Sequence, residues 1–280
     1  MKDPVIVGVD GSDESRMAAG YGAELAGRRR TSLALVHGYL HPVGYGALGF
    51  NPYAIRVPDP LVAADEMLDK VAAALRADHP GLHVVHRQVA LGGASALIRE
   101  SGRATAVVVG HRGLGGFAEL LLGSVSAQVA AHAHGAVVVV RPGGASGPVV
   151  VGVDGSPGGE PALEYAFAEA ASRALPLVVM FVHEEPTAAD AADNAAILDR
   201  TVQPWMAAYP RVPVRRQVRP DSDPEQALIE ASRDASLIVV GSRGRGGFTG
   251  LVLGSVSQAL VHHGRCPVAI VHPRVTGDAR

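Results

Sequence analysis

Two stretches of this chain carry residue types suited to holding phosphate. The first begins Gly110-His111-Arg112-Gly113 and closes on Gly123-Ser124-Val125. The second begins Gly241-Ser242-Arg243-Gly244 and closes on Gly254-Ser255-Val256. Both keep the spacing Gly-x2-Gly-x9-Gly-Ser, which chance would rarely give twice. Glycine lets a backbone approach a phosphate closely, and the free N–H groups at a helix start point at an anion. Arg112 and Arg243 add guanidinium forks that match phosphate oxygens. Ser124 and Ser255 are expected to cap the helix that follows or to offer a hydroxyl to phosphate. Ser255-x-x-Gln258 reads as a capping box, whereas Gln128 in the first copy falls one place late. The plainer alternative is a tight strand-to-helix connection with no ligand; the repeated spacing weighs against it.

A second pair of candidates is acidic. Gly8-Val-Asp10-Gly-Ser12 returns as Gly152-Val-Asp154-Gly-Ser156, 144 residues later. Asp-Gly-Ser is a common way to leave a strand, so Asp10 and Asp154 have a turn-and-cap reading. They have a functional reading too: an acceptor for a ribose hydroxyl or adenine amine, or an oxygen ligand for Mg2+. The residues alone leave both open.

The elements that must position these groups follow from the repeat. The first half predicts strands over residues 5–10, 32–39, 83–89, 105–109 and 136–140, and helices over 12–30, 61–77, 95–102 and 125–134. The second half predicts strands over 149–154, 177–183, 214–218, 237–240 and 268–271. A Pro/Gly-rich linker at 141–148 joins domains expected at 1–143 and 147–275. Ser12 is expected to cap the first helix, and Pro157 to sit in the first turn of its counterpart. Alternating strands and helices imply a parallel sheet with right-handed crossovers. Runs such as Val137-Val-Val-Val140 suit strands covered on both faces. The expected fold is α/β: two tandem Rossmann-like domains, each a five-stranded parallel sheet in the order 3-2-1-4-5 with helices on both faces. That order places strands one and four side by side, so Asp10 and Gly110 would meet in one crevice beyond the strand ends.

Composition narrows the function classes. The 280 residues are 48% hydrophobic and 19% charged, enough for a real core. A formal net charge of −2 and no basic run give nucleic-acid binding no electrostatic footprint. Cys266 is the only cysteine, which excludes an intrachain disulfide and fits a reducing, cytoplasmic setting. No signal peptide is expected ahead of Val5, and no apolar run approaches membrane-spanning length.

Both halves resemble universal stress protein domains of the ATP-binding kind. The resemblance rests on the two Gly-x2-Gly-x9-Gly-Ser stretches and the two Gly-Val-Asp-Gly-Ser strand ends, and covers nearly the whole chain. It implies the adenine nucleotide alpha hydrolase-like version of the fold and an adenine nucleotide, ATP, as ligand, which could carry Mg2+. It implies that Asp10 and Asp154 contact the nucleoside, and that backbone at Gly38 and Glu184 reads adenine. Gly110, Gly113, Gly123 and Ser124, with Gly241, Gly244, Gly254 and Ser255, would hold phosphates, followed by Val125 and Val256. It further implies that the last strands of the two halves pair, here within one chain; a further homodimer is left open. His111 stands where the second half has Ser242, and Ala136 where it has Pro267.

Other chemistries lack their residues. No lysine lies near either glycine stretch, so a P-loop is excluded. The dinucleotide fingerprint is absent after strand one. The twelve histidines form no zinc spacing. No serine is tied to a recognisable base, so hydrolase chemistry is not expected. Cys266 and Trp205 read as packing residues. The reading is a nucleotide-dependent stress sensor or regulator with one site per half. The alternatives are a slow ATPase or phosphotransferase, or an interaction module that binds another adenine nucleotide such as cyclic AMP.

Overall fold

A computed structural model describes residues 2–39, 60–114, 121–143, 146–183, 188–221, 223–244 and 253–273. The first half holds β1 (Val5–Gly8), α1 (Asp13–Arg29), β2 (Leu33–Gly38), α2 (Pro60–Asp78), β3 (Val84–Val89), α3 (Gly93–Ser101), β4 (Ala106–Gly110), α4 (Ser124–His132) and β5 (Ala136–Val140). The second holds β6 (Val149–Val153), α5 (Glu160–Arg173), β7 (Leu177–His183), α6 (Ala188–Ala208), β8 (Val214–Pro220), α7 (Pro224–Ala231), β9 (Leu237–Gly241), α8 (Ser255–His263) and β10 (Val268–Val271).

The ten strands form one sheet in the order β3-β2-β1-β4-β5-β10-β9-β6-β7-β8. Each half therefore has the expected 3-2-1-4-5 order. Every pairing within a half is parallel. The halves join where β5 and β10 run antiparallel, with Val137 opposite Ile270 and Val139 opposite Val268. Ala136 lies inside β5, whereas Pro267, with no N–H to donate, stays outside β10. The two edges at the seam thus differ by one residue.

Successive side chains on a strand face opposite ways, so the apolar runs feed two cores. Val5, Val7 and Val108 pack with α1, α2, α5 and α6 around Leu68, Phe167 and Leu198. Ile6, Val107 and Val109 pack with α3, α4, α7 and α8 around Leu97, Val129, Leu228 and Leu260. Cys266 is fully buried in the second core. Trp205 packs against the first, its ring stacked 6.4 Å from Phe167.

Helix ends account for most departures from expectation. Ser12 caps α1 as expected, its hydroxyl accepting the Ser15 N–H at 3.1 Å. Pro157 instead opens a single 3-10 turn, Pro157–Gly159, ahead of α5. Helices α4 and α8 are capped by Gly123 and Gly254 with no side-chain hydrogen bond, so Ser124 and Ser255 are their first helical residues rather than their caps. The capping box at Ser255 and Gln258 therefore does not form. Gln258 N–H bonds the Gly254 carbonyl, as an ordinary first helical turn requires.

A polar cluster ties α1 to α5 on the first face. Glu169 is fully buried. Arg29 reaches it with Nε at 3.2 Å and Nη2 at 2.7 Å, and Arg173 with Nε at 3.0 Å. Arg29 lies over the Tyr165 ring, 5.1 Å from its centroid, and Arg173 over Tyr21 at 5.4 Å. The arginines and tyrosines are repeat mates, 144 residues apart; Glu169 is not matched, because its mate is Leu25.

Candidate functional site

Because β1 and β4 are neighbours whose outer partners lie on opposite sides, their carboxyl ends open a crevice. A pocket of about 530 Å³ sits there. Its wall includes Gly8 and Asp10 after β1, Gly38 at the end of β2, Gly110, Arg112 and Gly113 after β4, and Gly123, Ser124 and Val125 at the start of α4. The sequence-predicted residues of the first half thus converge, with one exception. His111 does not line the pocket: its ring is buried, with Nε2 accepting Arg112 Nε–H at 3.2 Å. That bond requires the proton on Nδ1, which has no partner.

Asp10 ties the strand tip to the glycine turn. Its Oδ1 accepts the Ser12 N–H at 3.0 Å and the Ser12 hydroxyl at 2.6 Å, and its Oδ2 accepts the Leu114 N–H at 2.9 Å. Burial alone would raise the carboxyl; the bonds from Ser12 and Leu114 outweigh it and hold Asp10 below the ordinary carboxylate range. The turn reading of this aspartate is met by these bonds, and the same side chain also lines the crevice. Gly113 is required by this contact, since a Cβ there would overlap Asp10 Oδ2. Gly38 is required by a different one: a Cβ would lie 2.6 Å from the Gly93 Cα, where α3 begins.

The start of α4 contributes backbone to the pocket wall. Its first N–H groups have no intrahelical acceptor, and its cap is a glycine without a side chain to satisfy them. Gly123 N–H bonds the His111 carbonyl at 2.8 Å, which closes the loop onto the helix. Ser126 Oγ donates to the Gly110 carbonyl at 2.5 Å, pinning the first turn of α4 to the end of β4. Ser126 was not among the expected site residues, and its only signal was the repeated Gly-Ser-Val-Ser. His37, also unexpected, lines the pocket with its Nδ1–H donating to the Val9 carbonyl at 2.8 Å. No signal in the sequence marked it.

The second half repeats this construction. Asp154 Oδ1 accepts the Ser156 N–H at 2.9 Å, and a Cβ on Gly244 would lie 2.5 Å from Asp154 Oδ2. Gly254 N–H bonds the Ser242 carbonyl at 2.8 Å, and Ser257 Oγ donates to the Gly241 carbonyl at 2.6 Å. Gly152 admits Leu228 as Gly8 admits Leu97, so both of these glycines serve helix-to-sheet packing. Arg243 is exposed and Val256 is partly buried. Glu184 lies outside the described residues. Among the described residues, no cluster of three His, Cys, Asp or Glu side chains could hold a metal, and no helix is long and apolar enough to cross a membrane.

Comparison with known proteins agrees with this architecture. The model of the universal stress protein family matches residues 1–141 and again 146–272. A universal stress protein of Mycolicibacterium smegmatis is 35% identical over 288 residues, covering 96% of this chain and 97% of that protein. One from Mycobacterium tuberculosis is also 35% identical, covering 95% of this chain and 96% of its own length. A solved universal stress protein from Archaeoglobus fulgidus superposes with a TM-score of 0.73 at 20% identity, each chain covered to 98%; at that identity it speaks for the fold alone.

Proposed function

The chain belongs to the universal stress protein family, and we propose that it binds ATP in each half and acts as a nucleotide-dependent regulator. The observation that carries this reading is that Asp10, bonded to the Leu114 N–H, lines one pocket with the glycine-capped start of α4. Its volume lies within the roughly 300–1,000 Å³ usual for small-molecule sites. The N–H groups of α4 and the Arg112 guanidinium suit the phosphates. The Gly38 backbone, beside Val36 and Leu97, suits the base. Asp10 retains lone-pair capacity on Oδ2 for a ribose hydroxyl. In the second half Asp154, Gly244 and the start of α8 are the corresponding groups.

The residues fit a nucleotide that brings its own Mg2+, since Asp10 is the one carboxylate among the described residues of the pocket wall and three hydrogen bonds already occupy it. Bound Mg2+ would neutralise phosphate charge. The same engagement favours binding over turnover, because the one carboxylate among the described residues of the wall is already tied to Ser12 and Leu114. A reducing cytoplasm, suggested by the lone buried Cys266, is the setting that supplies this ligand.

The test is to denature the purified protein and identify the small molecules released. Adenine nucleotide at up to two per chain is expected. A chain that releases none, and binds none of ATP, ADP, AMP or cyclic AMP on titration, overturns the reading.

A further inference from the structure

The two candidate nucleotide sites are joined by a reciprocal set of bonds across the seam. The end of β5 is followed by Arg141, whose guanidinium crosses into the second half. Its Nη1 donates to the Gly264 carbonyl at 2.7 Å, and its Nη2 to the Val261 carbonyl. Val261 lies in the last turn of α8 and Gly264 is its C-cap, and α8 begins directly after Gly254 of the second glycine stretch. The end of β10 is followed by His272, which stands at the repeat position of Arg141. Its Nε2–H donates to the Ala130 carbonyl at 2.9 Å, in the last turn of α4. Each pocket's helix is therefore held at its far end by a side chain from the other half.

The circuit closes at the glycine loops. Arg141 follows Val140, whose carbonyl accepts the His111 N–H at 2.8 Å. His272 follows Val271, whose carbonyl accepts the Ser242 N–H at 3.0 Å. One route runs from the first loop through Val140 and Arg141 to α8 and the second pocket. The other runs from the second loop through Val271 and His272 to α4 and the first pocket. Each helix spans only about 13 Å for nine residues, so a shift at one end reaches the other. Between the helices lies a further cavity of about 240 Å³, walled by Leu122 and Leu253. Leu122 also lines the first pocket, so the two spaces share a wall. Side chains that hydrogen-bond across such a space move between discrete rotamers instead of yielding gradually.

We propose that these crossed caps couple the two nucleotide sites, so that filling one pocket changes the affinity of the other. The proposal rests on the nucleotide reading above. It goes beyond it in making the two halves one responsive unit. An anion at the start of α4 or α8 interacts with the helix dipole, and the strength of that interaction depends on how the far end is held. The caps differ in kind. Arg141 is a permanent cation; His272 is a neutral donor that burial keeps below its ordinary pKa, with His132, His134 and Arg243 adding to that effect and the Ala130 carbonyl opposing it. The halves thus do not transmit identically.

The experiment is a binding cycle on the full chain. Gly113→Ala and Gly244→Ala each leave one pocket intact and give its single-site ATP constant. The wild-type chain gives the constant for filling both. A ratio between the wild-type constant and the product of the single-site constants at least about fivefold from unity is expected. Arg141→Met with His272→Phe keeps bulk and removes the donors; in that background the ratio should fall to within about twofold of unity. A wild-type ratio of unity, or one that survives the double substitution, overturns the coupling. If the double variant does not fold, hydrogen exchange decides: in the Gly244→Ala chain, saturating the first pocket should change protection at Val261 to Gly264, and no change overturns the proposal. A wild-type chain that binds no nucleotide would overturn the underlying reading instead, while two equal, independent sites would remove the coupling alone.

Discussion

Arg29 and Glu169 meet across 140 residues of chain, and the two Arg29 N–H groups that converge on Glu169 Oε1 are the polar centre of the contact between α1 and α5. Glu169 is the fully buried carboxylate shared by three arginines there, since Arg28 Nη2 also lies 3.9 Å from it. Removing one partner of a buried ion pair leaves charge uncompensated, which typically costs about 3–5 kcal/mol. Glu169→Leu, which installs the residue found at the repeat position, is therefore expected to destabilise the protein strongly. Urea unfolding of the variant and the parent checks it. A midpoint shift below that expected for about 1 kcal/mol would show that the cluster contributes little.

Gly113→Ala and Gly244→Ala are expected to weaken nucleotide binding at their own sites by roughly tenfold or more. A Cβ at either position overlaps the aspartate carboxylate, so the loop must retreat from the strand tip. Isothermal titration with ATP checks this, and unchanged affinity in the double variant rejects the phosphate role of both loops.

Asp10→Asn keeps an oxygen for Ser12 but turns an amide N–H toward the Leu114 N–H. Losing that bond should cost about 1 kcal/mol. The chain should stay folded while ATP affinity at the first site falls. Thermal melting and titration, run on one preparation, separate the two effects. Normal binding with a normal melt would show that the carboxylate serves only its turn.

Stability should fall on acidification below pH 6.5. His111, His262 and His272 all have folded pKa values lowered by burial, with neighbouring positive charge adding to it. A histidine whose folded pKa lies below its unfolded value takes up protons more readily when unfolded. Its neutral form is fully accommodated above the unfolded value of about 6.5, and stability is lost as pH drops through that value toward the folded one. Melting temperatures from pH 8 down to pH 5 check the slope. His111→Ser, which copies the second half, should flatten part of it. A flat profile in the parent would refute the assignment.

Much of this was legible in the residues. The alternation of Val-rich runs with helical stretches implied a parallel α/β sheet, a Rossmann-like arrangement supplied the strand order of each half, and the family resemblance implied that the last strands pair; that β5 and β10 run antiparallel is a finding of the structure. The convergence of Asp10 with Gly113 was also legible, because strand order alone fixes which loops share a crevice. Helix caps were not. Ser124 looked like a cap because serine favours that position, but Gly123 N–H is drawn back to the His111 carbonyl, which moves the cap one residue earlier. The ring of His111 was equally opaque: motif position put it among the ligand contacts, while a bond to the adjacent Arg112 keeps it out of the pocket wall. Ser126, Arg141 and His272 act through backbone carbonyls far along the chain, and a carbonyl acceptor leaves no mark on residue type.

The covalent join between the halves bears on how the seam behaves when the protein is scarce. Two separate chains paired through their last strands would come apart on dilution. Here β5 and β10 belong to one polypeptide, so each meets the other at a fixed local concentration, on the order of millimolar for a short tether. The association of the halves is therefore independent of expression level, and copy number sets how many complete units exist, never what fraction of them is assembled.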